Sequence, residues 1–224
     1  MESKAIFHSL KSDDIFENIV AETPEKYYSF VPYRRRKDLT ANEKKSIGNY
    51  QDVHEENIQK SDWSFPIPEN WKQKPYCYAI NKFCRDEDFR KTLTKNEQLL
   101  IRNEIENIEN AIRKSKVSES CFIYRGVLDL AWLPNPVIGE EFTEKAFGSF
   151  SLRYEKALEY THKRNPIIFQ LLLTPEMNAL YFDESEFEIL RPMNTAYLII
   201  NKEMTTSDIN KNTTVYKIVE IKGD

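Results

Sequence analysis

The hydrophobic pattern of this chain changes period once, near Ser118, and that single switch limits the folds open to it. Before it, apolar residues recur at helical spacing. Thr94-Lys95-Asn96-Glu97 is a capping box, in which a threonine hydroxyl meets the third amide and a glutamate reaches back. Leu100/Ile101, Ile105, Ile108 and Ile112 then keep one helical face to about Lys114. A second box, Thr40-Ala41-Asn42-Glu43, opens a helix with Ile47, Tyr50, His54 and Ile58 on one face; a further helix is expected over 76–90 and a short amphipathic one over 12–21. After the switch the chain turns β-branched and aromatic: strands are expected at 121–127, 142–151, 167–173, 179–182, 187–190, 196–200 and 214–221, with a short helix over 152–163. Ile167-Ile168-Phe169-Gln170-Leu171-Leu172-Leu173 is apolar on both faces, which places it centrally in a sheet. Helices first and strands after define an α+β chain, not a doubly wound one.

Composition removes several function classes. The 224 residues suffice for one large domain with a core of its own. Only 5 glycines, with no GxGxxG and no GxxxxGK[ST], leave no glycine-cradled phosphate site of the two common kinds. A net charge of -4 gives no electrostatic reason to expect nucleic-acid binding. Three cysteines without CxxC spacing and three scattered histidines argue against zinc and fit a reducing compartment. No apolar run resembles a secretory signal or a membrane-spanning helix, so the expectation is a monomeric cytoplasmic protein, or one delivered into a host cell without a cleavable signal. The basic run Tyr33-Arg34-Arg35-Arg36-Lys37 reads as solvated surface.

The candidate chemistry lies on three strands. Tyr124-Arg125-Gly126 closes the first, and Phe147-Gly148-Ser149-Phe150-Ser151-Leu152 forms the second. The third carries Glu186-Phe187-Glu188-Ile189-Leu190, whose alternation is expected to set both carboxylates on one strand face. Alone, that pair says little: 36 of 224 residues are acidic, so acid-x-acid arises by chance about six times.

Together, in the order Arg, Ser-x-Ser, Glu-x-Glu, these motifs resemble the R-S-E class of mono-ADP-ribosyltransferases, which includes binary-toxin enzyme components, bacterial effectors and phage modification enzymes. The resemblance covers roughly 40–221, with the specific motifs confined to 122–191, and includes the strand Phe169-Gln170-Leu171-Leu172-Leu173-Thr174-Pro175. Residues 1–39 match nothing and are expected to form an extension. The catalytic domain is expected over 40–224, its helical part about 40–115 and its β-rich part about 120–222.

The resemblance implies an N-terminal helical layer on two packed mixed or antiparallel sheets that form a cleft for NAD. By the same resemblance NAD would be the substrate, no metal would be needed, and the partner would be a target protein with an acceptor arginine. Glu188 would stabilise positive charge on the ribose and hold its 2′-hydroxyl. Arg125 would present its planar fork to the diphosphate or the ribose. Gly126 would leave its backbone open to the nicotinamide carboxamide. Ser149 would fix the rotamer of Glu188, and Ser151 would stabilise the strand-to-helix corner. Glu186 would face the acceptor, since members with Glu there modify arginine. Tyr50 corresponds to a family tyrosine near the adenine.

Two features depart from the family pattern. Phe150 replaces the usual threonine; turned to the core it leaves the site intact, and turned to the cleft it would stack on the nicotinamide or obstruct it. The segments Phe182-Asp183-Glu184-Ser185 and Lys163-Arg164-Asn165-Pro166 are short. NAD glycohydrolysis, and an inactive domain of this fold used as a binding module, are the alternatives.

Overall fold

The computed structural model describes residues 30–51, 76–128, 133, 136–162, 164–175, 177–207 and 211–221. The helix expected at 12–21, and His54 and Ile58, lie outside them.

Among the described residues four helices form the first layer: α1 (Ala41–Gln51), α2 (Tyr76–Arg85), α3 (Glu87–Thr92) and α4 (Lys95–Arg113). Both capping boxes form. The Thr40 amide donates to Glu43 Oε2 at 2.7 Å and the Glu43 amide to Thr40 Oγ1 at 3.2 Å; Thr94 and Glu97 repeat the exchange at the head of α4. Glu43 is buried and also takes the Lys114 ammonium at 2.7 Å, which fastens the start of α1 to the end of α4. Burial alone would raise the Glu43 carboxyl, but Lys114 and the Thr40 amide outweigh it and hold it below its ordinary value.

The single helix expected over 76–90 is two. Asp86 leaves the helical path and its carboxylate accepts the Phe89 amide at 2.9 Å, so it caps α3 rather than continuing α2.

The β-rich part comprises β1 (Cys121–Val127), β2 (Glu141–Glu144), β3 (Gly148–Ser151), β4 (Ile167–Leu173), β5 (Leu180–Asp183), β6 (Glu188–Arg191), β7 (Thr195–Ser207) and β8 (Lys211–Ile221), with helix α5 (Tyr154–Glu159) between β3 and β4. Their spatial order is β2-β7-β8-β4-β1-β3-β6-β5. All named neighbours are antiparallel except β4 and β8. The two expected sheets are thus joined by hydrogen bonds, but the join is narrow: β1 and β3 meet in register only at Tyr124 and Ser151. The two leaves also pack on each other, because Phe150, Leu152 and Ile189 share one core with Phe169, Leu171, Tyr197 and Ile218. A second core sits between the helices and the small leaf, where Ile47, Ile80, Ile101 and Ile108 meet Phe147, Leu180 and Leu190. Full burial of each such aliphatic side chain stabilises the fold by about 1.5–3 kcal/mol.

The strand expected over 142–151 is likewise two, one on each leaf. β2 pairs with β7 on the outer edge, whereas β3 pairs with β6. Between them Ala146 and Phe147 are fully buried, so the chain turns inward and crosses from one leaf to the other.

Residues 30–39, expected as part of an extension, pack into this frame. The Tyr33 ring stacks on Phe182 at 6.2 Å, and Tyr33 and Leu39 belong to the helical core. Of the basic run, Arg34, Arg35 and Lys37 are exposed as expected, and Arg36 is half-buried. Arg36 donates to the Lys114 carbonyl at 2.8 Å, and Arg35 pairs with Glu184 at 3.1 Å.

Candidate active site

A cleft of about 950 Å³ opens between α1 and α2 on one side and β1, β3, β6 and α5 on the other. Every candidate residue of the sequence lines it: Tyr50, Arg125, Gly126, Ser149, Phe150, Glu186 and Glu188.

The register of β3 against β6 explains one contact. Ser149 lies opposite Leu190 and Ser151 opposite Glu188. Ser149 and Glu188 are therefore diagonal neighbours on one face, within reach of each other. Ser149 Oγ donates to Glu188 Oε1.

Glu186 is not placed as expected. Residues 184–187 form a turn, and Phe187 has φ 53°, in the left-handed region. That residue breaks the two-residue alternation, so Glu186 and Glu188 are not siblings on one strand face, although both reach the cleft. The turn is tied down locally. Ser151 Oγ donates to the Glu186 carbonyl at 2.8 Å and accepts the Arg153 amide at 3.1 Å. The Leu152 amide donates to the Phe187 carbonyl at 2.9 Å, and the Arg153 guanidinium sits 3.6 Å from the Phe187 ring centroid. The Glu186 carboxylate accepts the Tyr160 hydroxyl at 2.7 Å.

Arg125 is held by a residue that carries no motif. Glu144, 3% exposed, takes Arg125 Nη1 on Oε2 at 2.7 Å. Its other oxygen takes Arg85 Nη2 at 2.9 Å, Arg85 Nε at 3.1 Å and the Ala146 amide at 3.0 Å. Burial alone would raise the Glu144 carboxyl; the two guanidinium groups and the amide hold it below its ordinary value. It is an ionised carboxylate with both oxygens in use, and it fixes one edge of Arg125. Beneath Arg125 lies the ring of Phe150, 5.9 Å from the guanidinium carbon. Phe150 itself is 3% exposed and packs in the inter-leaf core beside Tyr197. The bulky substitution therefore fills the core and forms the floor under Arg125.

Gly126 has a packing reason of its own. A Cβ there would lie 2.0 Å from the Ala157 carbonyl oxygen and 3.0 Å from Thr161 Cγ2. Only glycine lets helix α5 approach β1 this closely.

On the opposite wall the Tyr50 hydroxyl exchanges hydrogen bonds with the Asn81 side-chain amide at 3.0 and 3.2 Å, and its ring meets Phe147 and Phe182 edge-on. Cys77 also lines the cleft. Burial, then the Glu188 carboxylate, pushes its thiol up to about 12. Sequence reasoning missed Glu144, Arg85, Asn81 and Tyr160. None stands in a local pattern that would single it out.

NAD fits these residues. The cleft lies at the upper end of the about 300–1,000 Å³ usual for ligand sites. It offers a fixed guanidinium, a serine-braced carboxylate and aromatic walls. Among the described residues no group of three or more His, Cys, Asp or Glu side chains is arranged to hold a metal ion. No helix among them is long and apolar enough to cross a membrane.

Helical layer, two-leaved sheet and cleft define an α+β domain of the ADP-ribosyltransferase type. A family model described as ADP-ribosyltransferase exoenzyme matches residues 73–222, and the chain belongs to that family of NAD-dependent ADP-ribosyltransferases. Solved structures share the fold. Plx2a, an ADP-ribosyltransferase toxin from Paenibacillus larvae, is 18% identical with a TM-score of 0.56, over 82% of this chain and 88% of that one. The ADP-ribosyltransferase Vis, in complex with agmatine, is 20% identical with a TM-score of 0.55, over 84% and 77%. The enzymatic component C2-I of the C2-toxin from Clostridium botulinum is 18% identical with a TM-score of 0.56, over 82% of this chain and 44% of that one. A search of curated proteins gave no match.

Proposed function

We propose that the chain transfers ADP-ribose from NAD to an arginine side chain of a target protein and releases nicotinamide. The observation that carries this reading is the pair of unequal carboxylates in one cleft. Glu188 is braced by Ser149, and Glu186 is presented separately from a tied-down turn.

Arg125, steadied by Glu144, takes the diphosphate or the adjoining ribose. Glu188 faces the ribose of the nicotinamide half. The bond between ribose C1 and the pyridinium nitrogen breaks, and its electron pair leaves with nicotinamide, which departs neutral. Positive charge develops on the ribose, and the fixed carboxylate of Glu188 stabilises it. A guanidino nitrogen of the acceptor forms the new bond to C1. The proton it loses passes to the Glu186 carboxylate and then to water. The modified guanidinium keeps its charge, so charge and protons balance.

Support for arginine rests on the carboxylate at Glu186, a group that pairs with guanidinium. The Vis structure was solved with agmatine, a guanidino compound. Labelled NAD supplied with an arginine-bearing protein acceptor tests the reading. Glu186→Gln is expected to abolish labelling while free ADP-ribose still forms. Equal loss of both products would refute the division of roles, and free ADP-ribose without any labelled protein from the unaltered enzyme would make it a glycohydrolase.

A further inference from the structure

Tyr160 stands at the C-cap of α5, where its amide donates to the Ala157 carbonyl at 3.1 Å. Thr161 closes the same corner, giving its amide and its hydroxyl to the Leu158 carbonyl at 3.2 and 2.8 Å. The backbone under Tyr160 is thus fixed, and fixed relative to Arg125-Gly126, because α5 rests on Gly126 through Ala157. The side chain itself is 50% exposed at the cleft, yet its hydroxyl ends on Glu186 Oε1 at 2.7 Å. Among the described residues it is the only hydrogen-bond partner of that carboxylate.

The arrangement has a consequence for acceptor chemistry. A glutamate on a turn has three side-chain torsions to order before it can receive a ligand. A hydrogen bond to one oxygen orders them in advance and leaves the second oxygen for an incoming donor. Partial burial and the bond to Glu186 both push the Tyr160 phenol above its ordinary value, so it stays a donor across the physiological range.

We propose that Tyr160 is the positioning residue of the acceptor side: its hydroxyl holds Glu186 in place for a guanidinium and so sets how NAD divides between transfer and hydrolysis. The proposal rests on the acceptor role assigned to Glu186 above. Tyr160 does not act on the reacting atoms. It decides where the carboxylate is when the acceptor arrives. Without the hydroxyl the carboxylate samples other rotamers, and water competes better for C1 of the ribose.

The test uses the full chain, labelled NAD and agmatine as the guanidino acceptor, with ADP-ribosyl-agmatine and free ADP-ribose measured separately. Tyr160→Phe keeps the ring and removes only the donor. It is expected to lower the ratio of transfer to hydrolysis about tenfold, the usual worth of a hydrogen bond to a charged group at a half-exposed site. The KM for agmatine should rise while the KM for NAD moves by less than about threefold. In a Glu186→Gln background, where transfer is already lost, the same substitution should leave the remaining NAD hydrolysis unchanged, since it acts through that carboxylate.

A Tyr160→Phe enzyme whose two products fall together, with Glu186→Gln still shifting their ratio, would overturn the proposal and leave Tyr160 as part of the wall. If Glu186→Gln itself leaves the ratio unchanged, the acceptor assignment fails first and the role of Tyr160 fails with it. Residual NAD hydrolysis by Tyr160→Phe reports that the variant is folded.

Discussion

Glu144→Gln isolates the support beneath the cleft. Glu144 has a 4% exposed side chain and joins Arg125, 18% exposed, to Arg85, 42% exposed. Removing one partner of a fully buried ion pair costs about 3–5 kcal/mol, because the other charge is left unpaired. Arg85 is largely solvated and Arg125 partly so, which lowers the expected cost to about 2 kcal/mol. In a domain of this size that is a fall in Tm of about 4–8 °C. The glutamine keeps the shape and can still receive the Ala146 amide, so the fold should survive. Arg125 loses its anchor, and the KM for NAD should rise about tenfold.

The acid side gives a second reading of the same variant. The native Glu144 carboxyl lies below its ordinary value of 4.5, so its contribution to stability is complete above about pH 4.5 and is lost as pH falls through the lower native value. Thermal scans from pH 7 to 3 should show a steeper acid loss for the unaltered protein than for Glu144→Gln. A variant with unchanged Tm, unchanged acid slope and unchanged KM for NAD would refute the reasoning and mean that Arg125 is held by its strand and by Phe150 alone.

Two more outcomes follow from the geometry. Gly126→Ala drives a Cβ to 2.0 Å from a backbone carbonyl that belongs to α5; the helix must shift, and stability should fall by about 1–3 kcal/mol in urea titration, with NAD turnover falling more than tenfold. The Cys77 thiol, pushed up to about 12, should alkylate with iodoacetamide at pH 8 more than a hundredfold more slowly than a free peptide cysteine, and labelling at the ordinary rate would contradict the burial described.

What the sequence made legible was local. Both capping boxes form because their donors and acceptors lie within three residues of each other, and Ile101, Ile108 and Ile112 of the α4 stripe are buried, with Leu100 and Ile105 half-buried against the same core. The apolar run of β4 does lie between two strands. The errors arise where a side-chain cap or a distant contact overrides the apolar pattern. Asp86 breaks a helix that its neighbours would continue, and Ala146 and Phe147 turn inward to cross between leaves. Phe187 takes a left-handed conformation that nothing in its identity announces, and with it goes the simple picture of two carboxylates on one strand. Glu144 was one of 36 acidic residues and became distinct only when folding set Arg85 and Arg125 on either side of it. The glycine of the Arg-Gly pair was visible, but its packing reason was not: the surface it makes room for is the backbone of a helix that begins 28 residues later.

The proposed transfer depends on Glu188 as the residue that faces the ribose. Purified protein, labelled NAD and agmatine, assayed for nicotinamide release and for ADP-ribosyl-agmatine, test it most directly. Glu188→Ala is expected to cut both products on the order of 10²–10³-fold, as loss of a preorganised charge-stabilising group does, while NAD binding persists within about tenfold. A Glu188→Ala enzyme that releases nicotinamide at the rate of the unaltered protein would contradict it.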